Sequence, residues 1–277
     1  MGIRINTNVA SIAAQRALGV TKLNLDSNLR KMSSGERITR SADDAAGLAI
    51  SEKLKGHIRG LRQAKRNSDD GISLIQTAEG GLNEISSIII RLRELSVQAA
   101  SDTVGDTERN FSNIEFKNLL EEIQRISQSS EFNGRKLLNG SGGMVEIQVG
   151  IHNDPTNDRI RYDSSEADAT LESLGLTAES IGTKEGAQLS LAKLDDALVR
   201  INGTRANLGA LQNRLQSASN NIAITEENFS AANSRIRDVD VASETADMAK
   251  NNILAQAGVS VLAQANQAPN FALKLLS

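Results

Sequence analysis

The side chains that most often perform chemistry are scarce in this sequence. Cysteine is absent and histidine occurs only at His57 and His152, so thiol catalysis, thiolate metal sites and His-based zinc sites are not expected. Adjacent acids such as Asp69-Asp70 lie on a helical pattern, where neighbouring side chains diverge and cannot share a reacting group. The sequence also contains no phosphate-binding loop and no nucleophile–histidine pattern. We therefore predict no catalytic, cofactor-binding or metal site, and no enzyme activity.

The composition favours long helices packed through small aliphatic side chains. Aromatic residues make up only 2% of the chain and proline occurs twice. The formal net charge of −3 argues against nucleic acid as a partner, because phosphate binding requires a basic surface. No stretch approaches the roughly 20 apolar residues of a membrane span, and no signal-peptide core is present. We expect neither membrane insertion nor a cleaved leader.

Helical patterns dominate both ends of the sequence and flank a short central insert. The first pattern runs from Ile5 to Met32 and stops before the polar segment SSGERITRSADD. Ser41 and Asp44 resemble a capping box that starts a second helix. That helix continues through Gly80-Gly81, at a cost of about 1 kcal/mol per glycine that packing must override. We predict a charged connector and helix cap at the break, formed by Arg37, Arg40, Ser41, Asp43 and Asp44.

The central insert and the segment after it show two different periodicities. Alternation of apolar and polar residues predicts a small β-hairpin over about 143–163. After the insert, apolar residues recur every seven positions, which predicts a long helix in a left-handed coiled coil. Such a helix needs long partners, and the N-terminal half supplies them. The predicted rod core consists of Leu194, Ile201, Leu208, Leu215, Ile222, Phe229 and Ile236.

Both ends of the sequence carry an apolar helical stripe, and no third helix remains to cover them. Two helices that pair with each other still leave their outer faces in water, and isolated helices are marginally stable. A monomeric helical bundle is the simpler interpretation, but these stripes favour assembly of identical copies. The predicted assembly surface comprises Ile5, Val9, Ile12, Leu18, Leu25, Leu29, Leu254, Ala257, Val261, Ala265 and Leu275.

Six segments, in order along the chain, resemble bacterial flagellin. They are INTNVASIAAQRAL (5–18), LRKMSSGERITRSADDAAGLAISEKL (29–54), QTAEGGLNEISSIIIRLRELSVQAASDT (76–103), EFNGRKLLNG (131–140), RANLGALQNRLQS (205–217) and ILAQAGVSVLAQANQAPNFALKLLS (253–277). No single segment would suffice, but their common order makes the resemblance specific. It covers both ends of the family pattern and most of this chain.

The resemblance implies a mainly α fold: a long helical coiled-coil rod with a small β-hairpin, plus a terminal two-helix coiled coil. Residues 1–40 and 242–277 would form the inner layer of a filament, and residues 41–241 the surrounding rod. Only a short insert separates the two halves, which implies a minimal flagellin without the family's variable outer domains. The implied function is the structural subunit of an extracellular flagellar filament, a self-assembling helical tube that acts as the motility propeller.

The resemblance also implies partners and leaves alternatives open. Identical subunits, a flagellar export chaperone, and the filament cap and junction proteins are expected, with type III export in place of a cleaved signal peptide. Four residues match positions at which many flagellins contact a host Toll-like receptor: Arg91, Leu95, Gln98 and Glu115. The alternatives are a hook–filament junction protein of the same terminal-helix family, a soluble coiled-coil adaptor, and an enzyme on a helical scaffold.

Overall fold

The computed structural model describes the chain over residues 7–276, with side chains described over residues 7–267. This part of the chain is mainly α-helical with small antiparallel strand pairs, as predicted. None of its helices is long and apolar enough to cross a membrane. In chain order the elements are α1 (Val9–Ser34), α2 (Ala45–Ala99), α3 (Asp106–Ser129), β1 (Glu131–Phe132), β2 (Arg135–Lys136), β3 (Met144–Gln148), β4 (Arg159–Asp163), α4 (Leu171–Leu174), α5 (Lys184–Arg237) and α6 (Val241–Leu276).

The elements form two compact units. The first, called here the terminal unit, contains the chain up to Gly56 together with the chain from Asn228 onwards. The second, called here the central unit, contains residues 57–227. Both α2 and α5 contribute residues to each unit.

In the terminal unit, α1 and α6 lie side by side and antiparallel. The amide of Asn8 contacts Ala265 near one end of the pair, whereas Lys31 contacts Glu244 near the other. Helix α1 begins with the Asn8 side chain accepting a hydrogen bond from the Ser11 amide. It ends at Gly35, which adopts the left-handed conformation (φ 71°) typical of a glycine C-cap.

In the central unit, α5 buries its heptad positions against neighbouring elements. The five positions from Leu194 to Ile222 are all buried, whereas Phe229 and Ile236, in the terminal unit, are only half-buried. The inner face of α2 is equally apolar, and α3 adds the fully buried Phe116. Beside this core, Nε of Arg93 on α2 lies 2.7 Å from Oδ1 of Asp195 on α5.

The predicted β-hairpin is formed by β3 and β4, which pair antiparallel from Met144↔Asp163 to Gln148↔Arg159. It packs closely on α2, because Gly71 of that helix has no side chain: a Cβ there would lie 2.7 Å from Cδ1 of Ile147.

The two glycines inside α2 have different surroundings. A Cβ at Gly80 would meet nothing within 4 Å, whereas one at Gly81 would lie 2.7 Å from Leu138 Cδ1 and 2.8 Å from Ser130 Oγ. The segment that follows α3 therefore passes over α2 at Gly81. The tight packing offsets the low helix propensity of the Gly-Gly pair.

Candidate functional site

Two cavities in the central unit differ in size. One of about 150 Å³ lies between β4 and α5, beside Tyr162, Leu208 and Leu211, and an open groove of about 680 Å³ lies between α4 and α5, beside Leu174 and Arg200. Among the residues whose side chains are described, no group of three or more His, Cys, Asp or Glu is placed to hold a metal. The exposed apolar and charged surfaces of the helices are the candidate functional sites.

The seam between α1 and α6 is lined by small and polar side chains. Ser11 is buried, and its hydroxyl donates to Oδ1 of Asn266 at 2.7 Å. Asn28 is also buried, with its amide oxygen accepting from the Met248 amide at 3.1 Å and its amide nitrogen donating to Asn24 O at 2.7 Å. Buried polar groups of this kind fix the register of a helix pair, because any slip leaves them unsatisfied.

A close approach in the middle of the same seam depends on glycine. A Cβ at Gly258 would lie 3.2 Å from Cδ1 of Leu18. Ala265 and Leu25 are half-buried along the same seam. The hydrophobic pattern did not reveal Ser11, Asn28 or Gly258 as seam residues, because two of them are polar and the third has no side chain.

Most predicted assembly residues lie outside this seam. Ile5 and the side chain of Leu275 are outside the described residues. Leu18, Leu25 and Ala265 are half-buried, whereas Ala257 is exposed. The large aliphatic side chains that are 47–69% exposed on the two helices are Val9, Ile12, Val20, Leu23 and Leu29 of α1, and Val241, Ile253, Leu254, Val259 and Val261 of α6. Each helix thus presents an unburied apolar face in addition to the seam.

The charged connector lies where α1 and α5 both end. The backbone amide of Arg37 donates to Arg237 O at 2.6 Å, and its guanidinium donates to Ile236 O at 2.6 Å. The amide of Val239 donates to Gly35 O at 3.0 Å, so the two connecting segments are joined in an antiparallel bridge. The sequence indicated the first segment only, because its partner is distant along the chain.

The acids of the connector accept hydrogen bonds from the backbone. Asp44 precedes α2, and its Oδ1 accepts from the Gly47 amide at 2.8 Å. Asp43 Oδ2 accepts from the amides of Thr39 and Arg40 and from the Thr39 hydroxyl. The bond from the Arg40 amide, followed by that from the Thr39 hydroxyl, lowers the pKa of Asp43. Ser41 and the Arg40 side chain are exposed beside this turn.

The four candidate receptor-contact residues lie on α2 and α3 of the central unit. The Arg91 guanidinium lies 2.9 Å from the carboxylate of Glu115 and 3.0 Å from that of Glu94. The side chains of Arg91, Glu115 and Gln98 are exposed. Leu95 differs from the other three candidates, because it is only 3% exposed and belongs to the core. The arrangement is a solvent-exposed charged patch over an apolar base.

Arg109 stabilises the turn between α2 and α3 and was not predicted from the sequence. Its side chain is buried, and its guanidinium donates to the carbonyl oxygens of Ala99 (2.8 Å), Ser101 (3.2 Å) and Val104 (3.0 Å). These carbonyls at and after the end of α2 lack partners within the helix. The pairing with Asp106 at 2.6 Å completes the network. The only indication of this role in the sequence was the position of Arg109 shortly after a polar loop.

Comparison with known proteins identifies the family. The family model described as the bacterial flagellin N-terminal helical region matches residues 5–142. The model described as the bacterial flagellin C-terminal helical region matches residues 191–276. Together they cover most of the chain and both of the described units.

Individual relatives agree with this match. A flagellin from Halalkalibacterium halodurans is 44% identical over 272 residues, covering 98% of this chain and 99% of its own. The flagellar filament 30.7 kDa core protein of Treponema maltophilum is 42% identical over 288 residues, covering 99% of each. The crystal structure of Bacillus cereus flagellin superposes with a TM-score of 0.51 at 32% identity, covering 57% of this chain and 88% of that one.

The filament subunit is thus favoured over the hook–filament junction protein. The chain belongs to the bacterial flagellin family, and it is a structural subunit of the flagellar filament, an extracellular appendage, and not an enzyme.

Proposed function

We propose that α1 and α6 form the inner layer of the filament and that neighbouring copies cover their exposed apolar faces. The inner layer would comprise about residues 1–40 and 242–277, and the rod about residues 41–241. The supporting observation is that ten large aliphatic side chains remain 47–69% exposed although the two helices are already paired. Burying the rest of each side chain contributes roughly 1 kcal/mol, so the gain grows with every neighbour added.

The physical argument concerns what the α1–α6 seam can and cannot bury. The missing side chain of Gly258 leaves room in the seam for the side chain of Leu18 from the other helix. Other large side chains remain exposed outside the seam, including Leu254 and Val261 on one helix and Val9 and Leu23 on the other. Exposed apolar patches of this kind mark interaction surfaces. Identical copies are the occupants that a filament supplies.

Seeded growth tests this proposal. Removing residues 254–277 should leave the central unit folded but stop elongation from filament fragments. A point variant, Val261→Asp, should slow elongation at least 10-fold because it introduces a charge into the covered face, whereas Val261→Leu should elongate normally. Circular dichroism of each monomer controls for folding. Filaments that grow from the truncated protein, or from Val261→Asp at the normal rate, would refute the assembly role.

We also propose that the same terminal faces are recognised before assembly by a flagellar export chaperone and at the filament ends by cap and junction proteins. The exposed aliphatic side chains of α1 and α6 form apolar patches on the free subunit, and such patches mark interaction surfaces. The subunit would leave the cell through the flagellar type III apparatus without a cleaved leader. Intact mass measurement of filament subunits tests the last point: a mass short of the full sequence by an N-terminal segment would contradict it.

We further propose that the patch around Arg91 and Glu115 is the surface that a host Toll-like receptor contacts on the monomer. Its support is the exposure of both side chains and of Gln98. Leu95 would act indirectly, as the buried residue beneath them. The double variant Arg91→Ala/Glu115→Ala should lose signalling by purified monomer. Arg93→Ala is the matched control, because Arg93 is similarly exposed but pairs with Asp195. Unchanged signalling by the double variant would end this proposal.

A further inference from the structure

We propose that His57 and His152 form a two-imidazole site for a transition-metal ion such as Zn²⁺, Ni²⁺ or Cu²⁺, which would join α2 to the loop between β3 and β4. They are the only two histidines in the chain. Although they are far apart in sequence, their ring centroids lie 5.9 Å apart with the ring planes at 77°. The sequence spacing does not indicate this pair, because His152 reaches α2 only when the β-hairpin packs on that helix.

The loop that carries His152 is held against α2 by contacts other than the ring pair. The side-chain amide of Gln148 donates to His152 O at 2.8 Å. Asn67 of α2 donates in turn to Gln148 O at 3.0 Å. Ile151 Cγ2 lies 3.0 Å from the position of a Cβ on Gly60, one helical turn after His57. The two rings are therefore positioned by the scaffold, which lowers the entropy cost of binding an ion between them.

The separation of the rings fits a shared ion. A zinc–imidazole bond is about 2.0–2.1 Å, and the ring centroid lies about 1.2 Å behind the ligating nitrogen, so two ligands at a tetrahedral angle have centroids about 5.3 Å apart. The observed separation is 5.9 Å with the rings in an edge-to-face arrangement, so binding requires side-chain rotations that aim one nitrogen of each ring at the ion. His57 is half-buried and His152 is exposed, so water can reach the ion and complete its coordination.

The surrounding charges set the strength and selectivity of this site. The α2 sequence around His57, KLKGHIRGLR (53–62), is rich in cations, which oppose a divalent ion and keep the affinity moderate. In the loop, Asp154 accepts hydrogen bonds from the Thr156 amide and the Asn157 side chain, and so is already engaged locally. Imidazole ligands without carboxylates select Zn²⁺, Ni²⁺ and Cu²⁺ over Mg²⁺ and Ca²⁺.

Binding would tie the hairpin loop to the helix within the central unit. Because the two imidazoles are adjacent only in the folded chain, the ion stabilises the native state by mass action. At a free ion concentration about 100 times the Kd, the equilibrium constant for unfolding should fall about 100-fold.

Calorimetric titration of the full-length monomer with ZnCl₂ and with NiCl₂ tests the site. We expect one ion per chain, and a loss of affinity of at least 10-fold in each of His57→Gln and His152→Gln, because either change removes the chelate. MgCl₂ should give no binding. His152 is exposed and His57 only half-buried, so circular dichroism should show an unchanged fold. The same affinity in the wild type and either variant, or no binding at millimolar Zn²⁺, would overturn the proposal.

Amide hydrogen exchange provides a second, independent measurement. Zn²⁺ should slow exchange in the loop between β3 and β4 of the wild type but not of His152→Gln. An ion that binds without changing loop exchange in the wild type would be bound elsewhere, for example at the chain's amino group, and would refute the site.

Discussion

Tyr162 offers a direct test of how the β-hairpin packs in the central unit. Its ring is buried, and its hydroxyl donates to Leu137 O at 3.1 Å. Burial, followed by the negative charge of Asp163, raises the pKa of Tyr162 to about 12 from its ordinary value of about 10. Tyr162 is the only tyrosine in a chain without tryptophan, so the absorbance change on forming tyrosinate reports on this one group.

The shift implies a defined loss of stability at alkaline pH. Between pH 10 and 12 the unfolded chain loses the Tyr162 proton before the folded chain does. The free energy of unfolding should therefore be unaffected by this group below pH 10 and fall as pH rises towards 12. A shift of two pH units corresponds to about 3 kcal/mol.

Two measurements check this reasoning. Spectrophotometric titration should give a midpoint near pH 12 in the native monomer and near pH 10 in concentrated urea. Urea unfolding at successive pH values should show that Tyr162→Phe lacks the tyrosine-dependent loss, although it loses about 1 kcal/mol at every pH with the hydrogen bond to Leu137. Comparing the two proteins removes the effect of lysine deprotonation. A native midpoint near pH 10 would refute the buried position of Tyr162.

Two further predictions concern glycine positions and the turn after α2, and both are measured by urea unfolding. Gly80→Ala should stabilise the protein by about 1 kcal/mol through helix propensity. Gly81→Ala should be less stable than Gly80→Ala, because the added Cβ would meet Leu138 and Ser130. Equal stabilities of the two variants would contradict the close packing at Gly81. Arg109→Ala should cost about 3 kcal/mol or more, because it leaves buried carbonyl oxygens unsatisfied. Arg109→Lys should recover only part of that loss, and full recovery would show that charge alone matters.

Much of the helical fold could be predicted because periodicity is a local property of the sequence. The seven-residue spacing from Leu194 to Ile236 predicted a buried face of α5. The five positions from Leu194 to Ile222 are buried, whereas Phe229 and Ile236 are half-buried. Alternation over about 143–163 predicted the hairpin, whose strands pair from Met144↔Asp163 to Gln148↔Arg159. The four-residue helix α4 was not predicted, because one helical turn is too short to show a period.

The candidate surfaces were less predictable than the helices that carry them. Leu254 and Val261 were identified as apolar, but the pattern could not tell an outer face from the seam. The seam depends on Ser11, Asn28 and Gly258, and hydrophobicity does not indicate these residue types. Leu95 was grouped with Arg91 by resemblance, whereas burial separates the two in the structure.

The sequence by itself determined the helical class, the hairpin, the family resemblance and the lack of catalytic motifs, since each depends on residue type and short-range spacing. The tertiary structure alone decided which residues meet across long separations: Arg37 with Ile236, Asn8 with Ala265, and His57 with His152. The physical reason is that a contact between distant segments depends on the packing of every element between them. Local spacing in the sequence carries no information about that packing.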